Sequence, residues 1–187
     1  WLKKMTAVIQ DVFELPQENI FVKQRKKQRG ETSQYEKISK DQNCITVKEQ
    51  GHKFIVNLSD YLDTGLFFDH RPLRQTVQQE CAGKNVLNLF CYTGAFSVYA
   101  AKGGAASVDS VDLSRTYLEW TKKNFKINGI NTEESLNEKG KQVPKYRFIQ
   151  EDAVNFIKSA ANADPQKALR CRWDIIILDP PTFSNSK

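Results

Sequence analysis

From Val86 onward the chain alternates between short apolar runs and amphipathic stretches, and that alternation leaves few folds open. Strand Val86–Phe90 leads through loop Cys91–Gly94 to helix Ala95–Lys102, which Gly103-Gly104 ends. Strand Ser107–Val111 leads to Asp112 and a helix that Ser114 caps and Gly129 stops. On that helix Tyr117, Thr121, Asn124, Phe125 and Asn128 fall on one side. Strand Arg147–Gln150 leads to Asp152 and helix Ala153–Ala160, and strand Asp174–Leu178 follows. Repeated strand–helix units of this kind predict a parallel, doubly wound α/β sheet.

The last strand is the most specific. Ile175-Ile176-Ile177-Leu178 is a continuous apolar run, the pattern of a central parallel strand. It runs into Asp179-Pro180-Pro181-Thr182-Phe183, where two prolines end ladder pairing and stiffen the chain. In an open α/β sheet ligands bind beyond this end of the strands. A carboxylate, rigid carbonyls and an aromatic face are therefore expected at a site rim.

The residues before Val86 read differently. Leu2, Met5, Ile9 and Phe13 recur at helical spacing, so a helix is expected to about Val12, with Pro16 just beyond it. Asn19–Lys27 reads as a strand, and Gly30–Gln34 as a turn. Asn43–Lys48 and Lys53–Leu58 read as a hairpin around Gln50-Gly51. Residues 1–58 are thus expected to form a small α+β domain, and residues 59–187 the larger domain. The segment Asp60–Arg71 mixes aromatics and charges without a period, and a helix is expected from Pro72 to about Cys81. Asn131–Lys145 is polar and reads as a mobile surface insertion.

Charge and cysteine usage exclude several classes. The net charge is +6, and residues 1–58 hold 11 basic and 7 acidic side chains, so the excess leans toward the N-terminal third. Lys23, Arg25, Lys26, Lys27 and Arg29 crowd into seven positions and suit an anionic partner, although a solvated strand face would look the same. Cys44, Cys81, Cys91 and Cys171 are scattered without a C-x-x-C pair, which fits reduced, mostly buried thiols in the cytoplasm. His52 and His70 have no partners at metal-ligand spacing, so structural roles and no metal are expected. No apolar run reaches the roughly 18 residues of a membrane span. The chain begins at Trp1 without a methionine or a signal-peptide pattern, and reads as a piece of a longer protein.

Taken singly, the strand ends are ambiguous. Asn88-Leu89-Phe90-Cys91-Tyr92-Thr93-Gly94 has one glycine and lacks the G-x-G-x-x-G fingerprint, which disfavours a nicotinamide enzyme. Gly94 permits close backbone approach by a nucleotide-type cofactor, or simply makes a strand–helix turn. Asp112, 24 residues after Asn88, could hold ribose hydroxyls or help cap a helix. Asp152 could accept from an adenine amino group or serve as an N-cap. Four successive ends on one sheet edge are much harder to explain by coincidence.

The order N-L-F-C-Y-T-G, V-D-L-S, Q-E-D and D-P-P-T-F resembles the class I S-adenosylmethionine-dependent methyltransferases. Within them, Tyr61–Arg71, Ser114–Trp120, Lys23–Gly30 with Gln34-Tyr35, and Asp179–Lys187 resemble the guanine-N7 half of the bifunctional bacterial 23S ribosomal RNA large-subunit methyltransferases. That likeness implies a Rossmann-like sheet cut short after four strands, and S-adenosylmethionine as cofactor. Asn88, Phe90, Tyr92 and Gly94 would line the cofactor's methionine and ribose side, with Ser114 beside them. Asp112 would hold ribose and Asp152 would contact adenine. Phe68, Asp69 and Arg71 would close the pocket. Asp179, which would also touch the cofactor, would sit with Pro180, Pro181 and Phe183 where the base enters. The basic run at Lys23–Arg29 would contact phosphates of 23S ribosomal RNA. As a piece lacking its last strands, the chain is expected to be inactive alone and prone to self-association.

Guanine N7 has an in-plane lone pair and no proton, so its methylation needs no general base. Cytosine C5 needs a thiolate to add to the ring first. That reading stays open as the alternative, beside an inactive cofactor- or RNA-binding piece. In A-form RNA the groove that displays N7 is deep and narrow, so an unpaired or extruded base is expected, with Phe183 stacking on it.

Overall fold

The computed structural model describes residues 1–23, 43–132, 134–136, 142–162 and 173–181. Its centre is a four-stranded parallel sheet. The strands are β3 (Asn85–Leu89), β4 (Ser107–Asp112), β7 (Tyr146–Gln150) and β8 (Ile175–Leu178), in spatial order β7-β4-β3-β8. Leu89 pairs with Val111 on one side and with Leu178 on the other, and Asp112 pairs with Gln150. All four carboxyl ends therefore lie on one edge. The chain winds outward from β3 through β4 to β7, then returns to the opposite flank of β3 as β8. The strand order thus reverses at β3, and an open sheet forms its ligand crevice beyond the strand ends at such a reversal.

Side chains alternate across this sheet, and helices pack on both faces. Leu87, Leu89 and Val111 pack with Ala153 and Phe156 of α5 (Ala153–Ala161). On the other face Asn88 donates to Ser97 of α3 (Ala95–Lys102) at 2.9 Å, and the Ser97 and Ser110 hydroxyls pair at 2.8 Å. Phe125 of α4 (Arg115–Ile127) meets Tyr146 and Phe148 of β7 edge-on, at 5.3 and 5.2 Å. Helices on both faces make the doubly wound arrangement that the sequence predicts. The sheet's largest polar commitment is Asp109, fully buried, which takes two hydrogen bonds from Arg147 (2.7 and 2.6 Å) and one from Trp173 Nε1 (2.7 Å). A buried carboxylate needs this degree of satisfaction.

A hairpin precedes the sheet: β1 (Cys44–Glu49) and β2 (His52–Asn57), turning at Gln50 (φ 49°) and Gly51 (φ 86°). Positive φ at both turn residues suits the twist of a two-residue hairpin, and Gly51 takes it without strain. One face of α4 covers the outer edge of β2. Trp120 Nε1 donates to Ile55 O, Asn124 Oδ1 accepts from Ile55 N–H, and Asn128 both accepts from Lys53 N–H and donates to Lys53 O. Residues 120, 124 and 128 are spaced i, i+4, i+8, so one helix stripe satisfies backbone groups that a free edge would leave open. Helix α2 (Arg71–Glu80), with Pro72 in its first turn, presents Arg74 to Glu49. Both are buried, with hydrogen bonds of 2.9 Å from Arg74 Nε and Nη2 to the two carboxylate oxygens. Tyr99 Oη adds a third donor to Glu49 at 3.0 Å.

The chain divides into two compact units: Trp1–Ile45 with Asn57–Thr64, and Thr46–Val56 with Gly65–Lys187. In the first, α1 (Leu2–Phe13) matches the expected helix and buries no residue. The expected strand from Asn19 is not found as far as Val22. Gln17–Asn19 is a 3₁₀ turn behind Pro16, with Asn19 and Ile20 N–H bonded to Pro16 and Gln17 carbonyls, so the backbone groups are spent locally. The rest of that segment and the Gly30–Gln34 turn lie outside the described residues. Asn57 Oδ1 accepts from Ser59 and Asp60 N–H at 3.0 and 2.7 Å, and the Ser59 hydroxyl bonds Asp60 at 2.7 Å. The polar stretch after Asn131, read from the sequence as a mobile surface insertion, holds a short antiparallel ladder, β5 (Glu134–Leu136) with β6 (Gln142–Pro144). Alternation is too brief there, three residues a strand, to read as period two.

Candidate cofactor and acceptor site

The carboxyl edge carries several of the residues that the sequence singled out, among them Phe90, Tyr92, Gly94, Asp112, Asp152 and Asp179. The loop after β3 is strained: Phe90 has φ 54°, Tyr92 φ 51° and Gly94 φ 73°. Two aromatic residues in the left-handed region cost about 1–3 kcal/mol each, and such strain concentrates at functional sites. It is held from three directions. Tyr92 N–H donates to Asp112 Oδ2 at 2.9 Å, Thr93 Oγ1 donates to Gly65 O at 2.6 Å, and Asn124 Nδ2 donates to Thr93 O at 2.9 Å. Gly94 is needed for packing: a Cβ there would stand 2.2 Å from Thr121 Cγ2. Its bare Cα faces α4, so the turn reading of this glycine has a concrete cause.

Asp112 ends β4 almost fully buried, and its Oδ1 accepts from Ser114 N–H at 2.8 Å. Burial pushes its carboxyl above the ordinary aspartate value, and the two backbone N–H groups pull it partly back. Each oxygen keeps further acceptor capacity. Ser114 caps α4, its hydroxyl accepting from Tyr117 N–H at 3.4 Å. Asp152 caps α5 through Oδ1 alone, from Val154 and Asn155 N–H at 3.0 Å each. The helix-capping reading of Asp152 is thus realised, with Oδ2 outside the cap.

The segment before α2 abuts the same loop. The Phe67 and Tyr92 rings lie 5.5 Å apart, Phe68 is exposed, and the Arg71 guanidinium stands 5.9 Å over the Phe68 ring. Arg71 Nε also donates to Glu49 at 3.2 Å. Asp69 is exposed, with His70 Nε2 at 3.8 Å. Asp179 follows β8, half-exposed, with Pro180 and Pro181 behind it. Phe183, Arg25, Lys26, Lys27 and Arg29 lie outside the described residues. Lys23 Nζ donates to Asn57 O at 3.1 Å, and burial lowers its ammonium pKa.

Residues 14–187 match the model of the S-adenosylmethionine-dependent methyltransferases. The chain belongs to that family. As a methyltransferase of this family it is 44% identical, over its full 187 residues, to ribosomal RNA large subunit methyltransferase K of Neisseria meningitidis, of which it covers 48%. It is 45% identical over 186 residues to ribosomal RNA large subunit methyltransferase K/L of Magnetococcus marinus, covering 23% of that protein. The chain therefore spans about half the length of the first and about a quarter of the second. Among solved structures, the SMU.776 protein in its complex with SAH matches 79% of this chain and 35% of its own, with a TM-score of 0.65 and 32% identity.

The donor set fits the methyltransferase cofactor. A ribose and an adenine amino group each need an acceptor at a strand end, and the carboxylates of Asp112 and Asp152 both keep acceptor capacity there. The sequence reading did not find the His70–Asp179 contact, the Asp109–Arg147–Trp173 cluster or the Glu49–Arg74 pair. Asp109 carried one signal, an acid between Val108 and Val111 of a buried strand. Glu49 and His70 carried none, because their partners are 25 and 109 residues away. Among the described residues, no group of three His, Cys, Asp or Glu side chains could hold a metal ion, and no helix is long and apolar enough to cross a membrane. Of the thiols, Cys81 and Cys91 are buried and Cys44 is exposed, while Cys171 lies outside the described residues. Cys44 stands at the exposed start of β1, where its Sγ accepts from Asn57 Nδ2 at 3.4 Å.

Proposed function

We propose that the protein methylates N7 of a guanine in 23S ribosomal RNA, using S-adenosylmethionine. The supporting observation is the carboxyl edge at the strand-order reversal, where the strained loop 90–94 follows β3, Asp112 ends β4 and Asp179-Pro180-Pro181 follow the neighbouring β8. The relatives named as large-subunit ribosomal RNA methyltransferases support the RNA class of acceptor. The cofactor supplies a methyl group already activated by its sulfonium charge.

The protein's own task is alignment, which can contribute up to roughly 7–11 kcal/mol. Asp112 holds ribose hydroxyls, Phe90 and Tyr92 with the backbone to Gly94 hold the methionine side, and Asp152 takes the adenine amino group. Asn88 and Ser114 act from beneath, through Ser97 and the α4 cap. Phe68, Asp69 and Arg71 close the pocket. Asp179, the two prolines and Phe183 receive an extruded base. The N-terminal basic run contacts RNA phosphates through Lys23, Arg25, Lys26, Lys27 and Arg29.

Cytosine C5 chemistry finds no suitable thiol among the described residues. Cys91 is buried and its thiol is pushed well above its ordinary value by desolvation, Cys81 is buried at the C-terminal end of α2, and Cys44 starts β1, off the carboxyl edge of the sheet. The test is methyl incorporation from labelled cofactor into unmodified large-subunit ribosomal RNA by the full-length protein, with the modified nucleoside identified by mass. N7-methylguanosine is expected. 5-Methylcytidine, or no incorporation, would overturn the reading.

A further inference from the structure

His70 connects two segments that this reaction uses. It directly precedes α2 in the pocket-closing segment Phe67–Arg71. Its Nε2 lies 3.3 Å from Oδ2 of Asp179, at the end of β8, and 3.8 Å from Oδ2 of Asp69. The ring packs against Phe96 of α3, centroids 5.9 Å apart. The imidazole is about one-third exposed (34%) and the Asp179 carboxylate about half (47%). Asp179 is therefore held on one side and open on the other.

An unsupported aspartate at a strand end has a broad χ2 distribution, and a base-positioning carboxylate must hold one orientation. The next two residues after Asp179 are prolines, which stiffen the backbone but leave the side chain free. The imidazole supplies what they do not. It is itself steadied by Phe96 and by its place at the start of α2.

We infer that His70 is a positioning residue for Asp179: it fixes the carboxylate toward the acceptor base. This rests on the reading of Asp179 as a contact of the target base.

The test uses full-length protein and a double-mutant cycle of His70→Ala, Asp179→Ala and both, with His70→Gln as the conservative variant. His70→Ala should lower kcat about 10–100-fold and leave S-adenosylmethionine affinity within about threefold. His70→Gln should recover most of kcat, and the double variant should be no slower than Asp179→Ala alone. In cofactor-free protein, the His70 imidazole nitrogen resonances should move in Asp179→Ala and stay put in Asp152→Ala. Additive losses, parallel loss of cofactor affinity in His70→Ala, or an unmoved resonance in Asp179→Ala would each overturn the proposal. A wild-type protein that methylates no RNA would instead strike the functional reading. The resonance measurement needs no turnover, so it separates the two failures.

Discussion

The buried carboxylate of Asp112 accepts the backbone N–H of Tyr92 at 2.9 Å, so the end of β4 holds the strained turn that follows β3. One side chain thereby shapes the loop and offers acceptor capacity toward a cofactor. Because its folded pKa is raised by burial, the fold prefers its protonated form. Its stabilising contribution is fully present below the ordinary value of 3.8 and is lost as pH rises through the folded value. The unfolding free energy of wild type minus that of Asp112→Asn should fall across that window and flatten above it. Denaturant unfolding at stepped pH measures this difference, and a flat or rising difference would contradict it.

Glu49→Ala strands the buried Arg74 guanidinium, with Arg74 Nη2 left to Phe67 O at 2.7 Å. A loss of about 3–5 kcal/mol is expected. Replacing both, as Glu49→Leu with Arg74→Met, should return most of it, because two apolar groups leave no unpaired charge. Urea unfolding of the three variants decides, and equal losses in the single and double variants would be the contrary result.

Regular packing was legible in the sequence, and long-range polar pairing was not. β3, β4, β7 and β8 stand within one residue of their expected limits, because a two- or 3.6-residue period is a local signal. The same holds for α3, where Gly94 and Gly103 mark both ends. At Asn19 and Ile20 the expected strand gives way to a 3₁₀ turn behind Pro16, whose bonds take the backbone N–H groups that a ladder would use there. Asp112 and Asp179 were legible as strand ends, but not what holds them. The partners Tyr92 and His70 depend on how strands order in the sheet, which no local period encodes.

β8 pairs with β3 on one side only among the described residues, and Ile176 and Leu178 are 59% and 61% exposed. An apolar edge of this kind templates further strand pairing. The isolated 187-residue chain is expected to self-associate with rising concentration. Sedimentation velocity over a hundredfold concentration range tests this, and a single monomer boundary throughout would contradict it. Ile176→Lys should shift the balance toward monomer.

Replacing Arg25, Lys26, Lys27 and Arg29 together with alanine should weaken binding to structured ribosomal RNA about uniformly across sequences. The slope of log affinity against log salt should shrink by roughly 0.7–0.9 for each phosphate contact removed. Filter binding at four salt concentrations measures it, and an unchanged slope would remove these residues from the RNA surface.

The most direct measurement is calorimetric titration of the full-length protein with S-adenosylhomocysteine, with Asp112→Ala and NADH as comparisons. One site per chain, an affinity at least about tenfold weaker in Asp112→Ala, and no heat from NADH are expected. Undiminished binding in Asp112→Ala, or binding of NADH in preference, would contradict a methyl-donor site at the carboxyl edge of this sheet.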